Sequence, residues 1–252
     1  MQWLYTLPVP VQALILSLFT WFMTALGGFF VFFSKRFSEK LMTFLTAVSA
    51  GIMIAASFFS LLLPALSYEA PIPIGVVVFL GFLIGGGMIP LVDLFLGRLF
   101  RGRETSSMLL VGSVTLHNIP EGMAIGVALG ASGGYASFIA GFSLALGIGI
   151  QNFPEGLCVA MPLKAAGKSS GYSFFIAQLS GAVEIAACVL GAVFVSFSSA
   201  LLPWVLSCAA GAMIAVVCSE LIPTSFEKGK GLPTLGVIFG FALMMILDVL
   251  LS

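Results

Sequence analysis

Two stretches decide how this chain is read: Leu116-His117-Asn118-Ile119-Pro120-Glu121-Gly122 and Ile150-Gln151-Asn152-Phe153-Pro154-Glu155-Gly156. Each sets polar, metal-capable side chains and a proline in the middle of an apolar run. On a helix His117 and Glu121 stand four residues apart, as do Gln151 and Glu155, so each pair shares a face with Asn118 or Asn152 beside it. Two such faces turned toward each other would gather carboxylate, carboxamide and imidazole groups into one cluster. In hydrocarbon that cluster is costly unless something satisfies it, and a divalent cation does so best. Pro120 withholds an N–H and frees the carbonyl of Leu116, and Pro154 does the same for Ile150, so both helices are expected to bend beside the polar residues. The competing reading is a pair of structural bends around a buried hydrogen-bonded network; the duplication of the pattern argues against it.

Working outward, the 252 residues are 60% hydrophobic and 8% charged, with a mean hydropathy of +1.18. That excludes an ordinary soluble domain and gives an all-α polytopic membrane protein, read as a single transmembrane domain over residues 1–252. The formal net charge is zero and no basic cluster exceeds three residues, so nothing suggests a nucleic-acid partner. Cys158, Cys188, Cys208 and Cys218 fall in apolar runs without CxxC spacing and are read as small apolar residues. The amino terminus lacks the basic region and cleavage site of a signal peptide, so the first hydrophobic segment is expected to remain a span.

Spans of about 20 apolar residues are predicted at 8–33, 40–64, 72–97, 106–130, 135–163, 170–196, 200–223 and 232–251, eight in all. All ten Lys and Arg fall at the first, third, fifth and seventh connections: Lys35, Arg36 and Lys40; Arg98, Arg101 and Arg103; Lys164 and Lys168; Lys228 and Lys230. Eight spans put every one on the same side, which the positive-inside rule makes cytoplasmic. Both termini are then expected outside an inner (plasma) membrane. Ala50-Gly51-Ile52-Met53-Ile54-Ala55 resembles Ala210-Gly211-Ala212-Met213-Ile214-Ala215, and each run is followed by a proline, Pro64 or Pro223. This is either an inverted repeat of spans 1–3 and 6–8 around spans 4 and 5, or chance similarity in sequence of low complexity.

The acidic residues are distributed differently. Glu121, Glu155, Glu184, Glu220 and Asp248 fall within spans, and Asp93 lies near the cytoplasmic end of the third. No lysine or arginine lies at the depth of the central carboxylates, which must therefore be protonated, hydrated or bound to a cation. Glu184, in Ser180-Gly181-Ala182-Val183-Glu184, is placed to complete a second metal position; the competing reading is a protonated glutamic acid bonded to a neighbouring serine. Glu220 and Asp93 read equally as exit-path ligands or as interfacial residues, and Asp248 reads as a solvated terminus. Ser113, four before His117, and Cys158, seven after Gln151, fall on the site faces, although packing is the favoured reading of both. The pairs Gly81/Gly85 and Gly126/Gly130 would let helices approach closely.

On these residues the chain resembles the ZIP family of divalent metal transporters, particularly its bacterial GufA-like branch. His117-Asn118-Ile119-Pro120-Glu121-Gly122, Gln151-Asn152-Phe153-Pro154-Glu155-Gly156 and Ser180-Gly181-Ala182-Val183-Glu184 carry the resemblance, which extends over essentially the whole chain. It implies eight helices in a 3+2+3 arrangement and a binuclear site between helices 4, 5 and 6. One metal would be held by His117, Glu121, Gln151 and Glu155, the other by Asn118, Asn152, Glu184 and the two shared glutamates. It further implies uptake into the cytoplasm by alternating access, zinc as the foremost cargo, no cofactor, the lipid bilayer as surroundings, and a homodimer as one expected assembly. Two departures stand out. Gln151 occupies a position where many members have a second histidine, and the Arg98–Thr105 connection lacks their histidine-rich run.

One imidazole, three carboxamides and three carboxylates make a borderline donor set that suits Zn²⁺, Fe²⁺, Mn²⁺ or Cd²⁺ better than Cu⁺. The rival function is an intramembrane metal-dependent hydrolase, in which the metal activates water. The absence of HExxH, and the abundance of amides and prolines at the site, speak against it. A third reading, a structural or receptor protein with a fixed metal, predicts very slow metal exchange.

Overall fold

The structure, a computed structural model, describes residues 2–33, 38–99, 105–131, 134–197 and 199–251; the side chains of 2, 93, 96–99, 105–114, 116, 117, 196, 197, 199 and 251 lie outside the described residues. After a short helix α1 (Gln2–Tyr5), the long helices are α2 (Val9–Phe29), α3 (Glu39–Ala56), α5 (Ile74–Leu99), α6 (Thr105–Gly130), α7 (Tyr135–Ala165), α8 (Ser170–Phe197), α9 (Leu202–Val216) and α11 (Gly231–Leu251). Short helices α4 (Leu63–Leu66) and α10 (Ile222–Phe226) extend α3 and α9. No strand occurs among the described residues, as expected where every backbone polar group must be satisfied within lipid.

Among the described residues seven helical segments are long and apolar enough to cross a membrane: Val9–Phe32, Glu39–Leu66, Ile74–Val92, Tyr135–Ala165, Ser170–Val195, Leu202–Phe226 and Gly231–Leu250. These coincide within a few residues with seven of the predicted spans. The remaining one falls on α6, a 26-residue helix whose first ten side chains lie outside the described residues. The proline-bearing motifs do not end their helices: α6 continues through Pro120 and α7 through Pro154 and Pro162.

Besides 3-10 turns at Phe30–Phe32, which extends α2, and Ser199–Leu201, two segments are wider than an α-helix. Ser57–Leu62, between α3 and α4, and Val217–Leu221, between α9 and α10, are π-helical. Each begins six residues after the glycine of its Ala-Gly pair, Gly51 or Gly211, and leads into Pro64 or Pro223. A proline ring clashes with the carbonyl four residues back and cannot donate to it. Widening the helix by one residue per turn accommodates both defects and redirects the side chains it carries.

Glycine sets the packing. A Cβ on Gly27 would overlap the Phe153 carbonyl, and one on Gly156 the Thr24 carbonyl, so α2 and α7 run backbone to backbone. Gly122 and Gly126 meet the Glu184 and Cys188 carbonyls and join α6 to α8. Gly51 meets Val237 and Gly240 meets Val48, joining α3 to α11; Gly85 meets Cys208 and Gly211 meets Phe82, joining α5 to α9. Across the length of each pair the contacts rise together, Phe19 with Gly149 and Val31 with Lys164, Gly122 with Glu184 and Gly126 with Cys188, Phe44 with Gly236 and Ser60 with Asp248, Gly81 with Trp204 and Gly85 with Cys208, so the paired helices are parallel. Such approaches allow Cα–H···O contacts and dense van der Waals packing, which hold helices together where lipid offers no hydrophobic drive. Contacts between α2 and α8, such as Trp21 Nε1 donating to the Gln178 carbonyl at 3.0 Å, complete one quartet of α2, α6, α7 and α8. The quartet α3, α5, α9 and α11 surrounds a separate set of contacts.

The described lysines of the connections sit at helix ends. Lys164 Nζ donates to the Val31 carbonyl at 2.5 Å and caps the end of α2's extension, and exposed Lys228 pairs with Glu39 at the start of α3. Gly85→Leu is expected to lower the unfolding midpoint in detergent by several degrees, through an overpacking cost of about 1–3 kcal/mol. Gly87→Ala, whose added Cβ would meet nothing within 4 Å, should leave the midpoint unchanged, and identical behaviour of the two variants would refute close packing of α5 on α9.

Candidate metal centre

The centre is built where α6, α7 and α8 converge beside α2. Asn118 and Glu121 project from α6, Gln151 and Asn152 from α7, and Glu184 from α8, each at most 2% exposed. Glu155, one turn beyond Gln151, is partly open to a cavity. Gln151 Nε2 donates to Glu121 Oε1 at 2.5 Å, which ties the two motifs together across the α6–α7 contact. Asn118 Nδ2 donates to the Ser180 carbonyl at 2.9 Å. The carboxylates of Glu121, Glu155 and Glu184 lie within electrostatic reach of one another.

Glu184 is held differently from the other two. Its Oε1 accepts from Asn152 Nδ2 at 2.7 Å and its Oε2 from Thr20 Oγ1 at 2.5 Å, so each oxygen already has a donor. Asn152 Nδ2 also reaches the Thr20 carbonyl at 3.3 Å. The result is a buried three-helix knot of α2, α7 and α8.

What remains unsatisfied identifies the chemistry. Among the described residues, Asn118 Oδ1, Glu121 Oε2, Gln151 Oε1, Asn152 Oδ1 and Glu155 Oε1 are buried with no hydrogen-bond partner; the sixth such atom, Ser143 Oγ, lies two turns away along α7. All five motif atoms are oxygen acceptors. An orphaned buried polar atom costs about 1–3 kcal/mol, and oxygen acceptors left without donors are the kind of group that could ligate a cation. No three His, Cys, Asp or Glu side chains among the described residues stand in a metal-holding group. The side chain of His117, the imidazole of the first motif, lies outside the described residues, as do those of Ser113 and Asp93.

A cavity of about 90 Å³ leads away from the centre, past Glu121, Gln151 and Glu155 to Cys158, Glu220 and Thr224. Glu220, which the sequence left between an exit path and the interface, stands in its wall on the second π-helical turn. Cys158, given both a site-face and a packing reading, lines the cavity with Sγ 3.4 Å from Thr46 Oγ1. Asp248 requires a correction. It is half-buried and accepts from Ser60 Oγ at 2.8 Å, because parallel packing of α11 on α3 brings it opposite the first π-helical turn.

Sequence reasoning missed Thr20, Thr46, Ser49 and Met53. Thr20 holds Glu184, Ser49 donates to the Gln151 carbonyl at 3.4 Å, and Thr46, Ser49 and Met53 line the cavity. A signal existed: Ser17, Thr20 and Thr24 recur at i, i+3 and i+7 with no exposure, and Thr46, Ser49 and Met53 repeat that spacing on α3.

A family model described as ZIP Zinc transporter matches residues 98–248, which include both motif helices and Glu184. GufA of Myxococcus xanthus, described as a zinc transporter, is 36% identical, with 95% of this chain and 98% of that protein aligned. The zinc transporter ZIP11 of Xenopus tropicalis is 34% identical over 95% of this chain and 97% of its own length. ZupT of Escherichia coli O127:H6, also described as a zinc transporter, is 30% identical over 92% and 93%. With matches running along nearly the full length of each protein, the chain belongs to the ZIP family of zinc transporters.

Proposed function

We propose that this protein carries divalent cations, zinc foremost, into the cytoplasm through the centre on α6, α7 and α8. The observation that carries the reading is the cluster of five orphaned oxygen acceptors from the two motifs. His117, Glu121, Gln151 and Glu155 form the first position. Asn118, Asn152 and Glu184 with the shared glutamates form the second, which gives a binuclear centre. The bonds on Glu184 make the two positions unequal: the first has free oxygens, whereas the second needs Thr20 or Asn152 to release a carboxylate oxygen before it can fill.

Eight spans in a 3+2+3 arrangement, with both termini outside the inner membrane, agree with the placement of all ten Lys and Arg at alternate connections. The glycine-joined pairs support the inverted repeat. Exchanging span 1 with 6, 2 with 7, 3 with 8 and 4 with 5 turns the pair α2–α7 into α8–α6 and α3–α11 into α9–α5, and it places one π-helical turn on the other. In that arrangement the cavity from Glu155 to Glu220 opens toward the cytoplasmic connection that holds Lys228 and Lys230. Alternating access is supported by the division of contacts. Every motif ligand sits in the quartet α2, α6, α7 and α8, joined internally through backbone, while the seam toward α3, α5, α9 and α11 is made of side chains and cavities.

Zinc uptake into proteoliposomes is expected to fall to the background of empty vesicles in Glu121→Ala and Glu155→Ala, with the fold retained by size-exclusion chromatography; undiminished flux in both would overturn the reading. Thr20→Val removes the donor that occupies Glu184 Oε2 without emptying the first position, and should tighten zinc binding at the second position about tenfold by calorimetry while leaving saturable uptake. Gln151→His supplies a second imidazole and should shift competition uptake toward zinc over manganese; an unaltered preference would exclude residue 151 from the site.

A further inference from the structure

We propose that a second cavity, behind the metal-ligating face of α6, is a binding site for one acyl chain of a bilayer lipid. It measures about 380 Å³ and lies where α6 meets the α5–α9 pair. Its walls are the Gly81–Val92 stretch of α5, the Trp204–Ala212 stretch of α9, and Ile119, Pro120 and Met123 of α6. The lining side chains are aliphatic, with glycine, the Cys208 thiol and the Trp204 indole among them. A space with so few polar partners cannot hold ordered water. At this depth the surrounding medium is hydrocarbon, and the cavity opens into it: Ile84 and Met88 on its rim are 54% and 52% exposed, continuous with the lipid-facing surface of α5.

Dimensions select the occupant. From Gly81 to Val92 the helix rises about 16 Å, which matches one leaflet, half of a hydrocarbon core of roughly 30 Å. The volume spread over that length gives a cross-section on the order of 20 Å², far too narrow for a helix about 10 Å across and suited to a single hydrocarbon chain. Trp204, near the start of α9, lies level with Gly81 and closes one end of the cavity. The floor is fixed, since Gly85 and Gly211 hold α5 against α9 through backbone. The movable wall is α6, where Pro120 lacks an N–H and turns ring carbons to the cavity. A bound chain would therefore lie directly behind the turn that carries Asn118 and Glu121.

The test uses the full chain in phosphatidylcholine vesicles doped with a phosphatidylcholine bearing a diazirine midway along one acyl chain, followed by irradiation and peptide mapping. Labelling per residue in the three cavity stretches is expected to exceed that at the lipid-facing Ile238 and Phe239 of α11 by about tenfold. Ala209→Phe, which fills the cavity, and Ile84→Trp, which closes its mouth from an exposed position that folding tolerates, should each remove that excess and leave α11 labelling unchanged. Cavity labelling no higher than that of α11, an excess that survives Ile84→Trp, or crosslinks from the cavity to a second copy in place of lipid would each overturn the proposal.

Discussion

Burying oxygen acceptors without donors is the constraint on which this protein is built. In water the carboxamide and carboxylate oxygens of the two motifs would be hydrated at no cost. Within apolar helices they must find hydrogen-bond donors or a positive charge, and Lys164 and Lys228 are committed to helix ends. Gln151 and Asn118 satisfy part of the demand by donating to Glu121 and to a backbone carbonyl. The remainder is left open where α6 and α7 face each other. A fold that only sought stability would replace such groups with leucine, and their presence in pairs is what the proposed function accounts for.

The rest of the architecture serves that centre in two ways. Backbone-to-backbone glycine contacts keep α6, α7 and α8 in fixed register, so ligands on three helices hold their mutual positions within a stiff unit. The opposite quartet meets that unit through methionine, threonine, serine and alanine side chains, with cavities on either flank. A seam of this kind can repack at low cost, whereas the glycine contacts cannot shift without overlapping carbonyl oxygens.

Much of this was legible in the sequence, because spans and motif faces are local properties. The periodicity of apolar residues gave helix boundaries within a few residues, and four-residue spacing put Gln151 and Glu155 on one face, as found. The partner of each helix was not legible, since Gly51 reads the same whether it packs on α11 or on α5. That is why Thr20 was overlooked: its hydroxyl matters only because α2 crosses α8 at Glu184. Asp248 was misread for the same reason, as its distance from the chain end suggested water while its neighbour Ser60 lies 188 residues away. The π-helical turns were signalled only by Pro64 and Pro223, which announce a defect without saying how it is resolved.

Gln151 has a consequence for where such a protein can operate. An imidazole in its place would gain a proton in mildly acidic surroundings and cease to be a ligand. A carboxamide undergoes no such change across the range a cell meets, so this corner of the proposed centre offers the same oxygen in acid as in neutral medium. On that proposal the chain gives up some grip on soft cations for a donor set with one fewer component that ambient acidity can switch off.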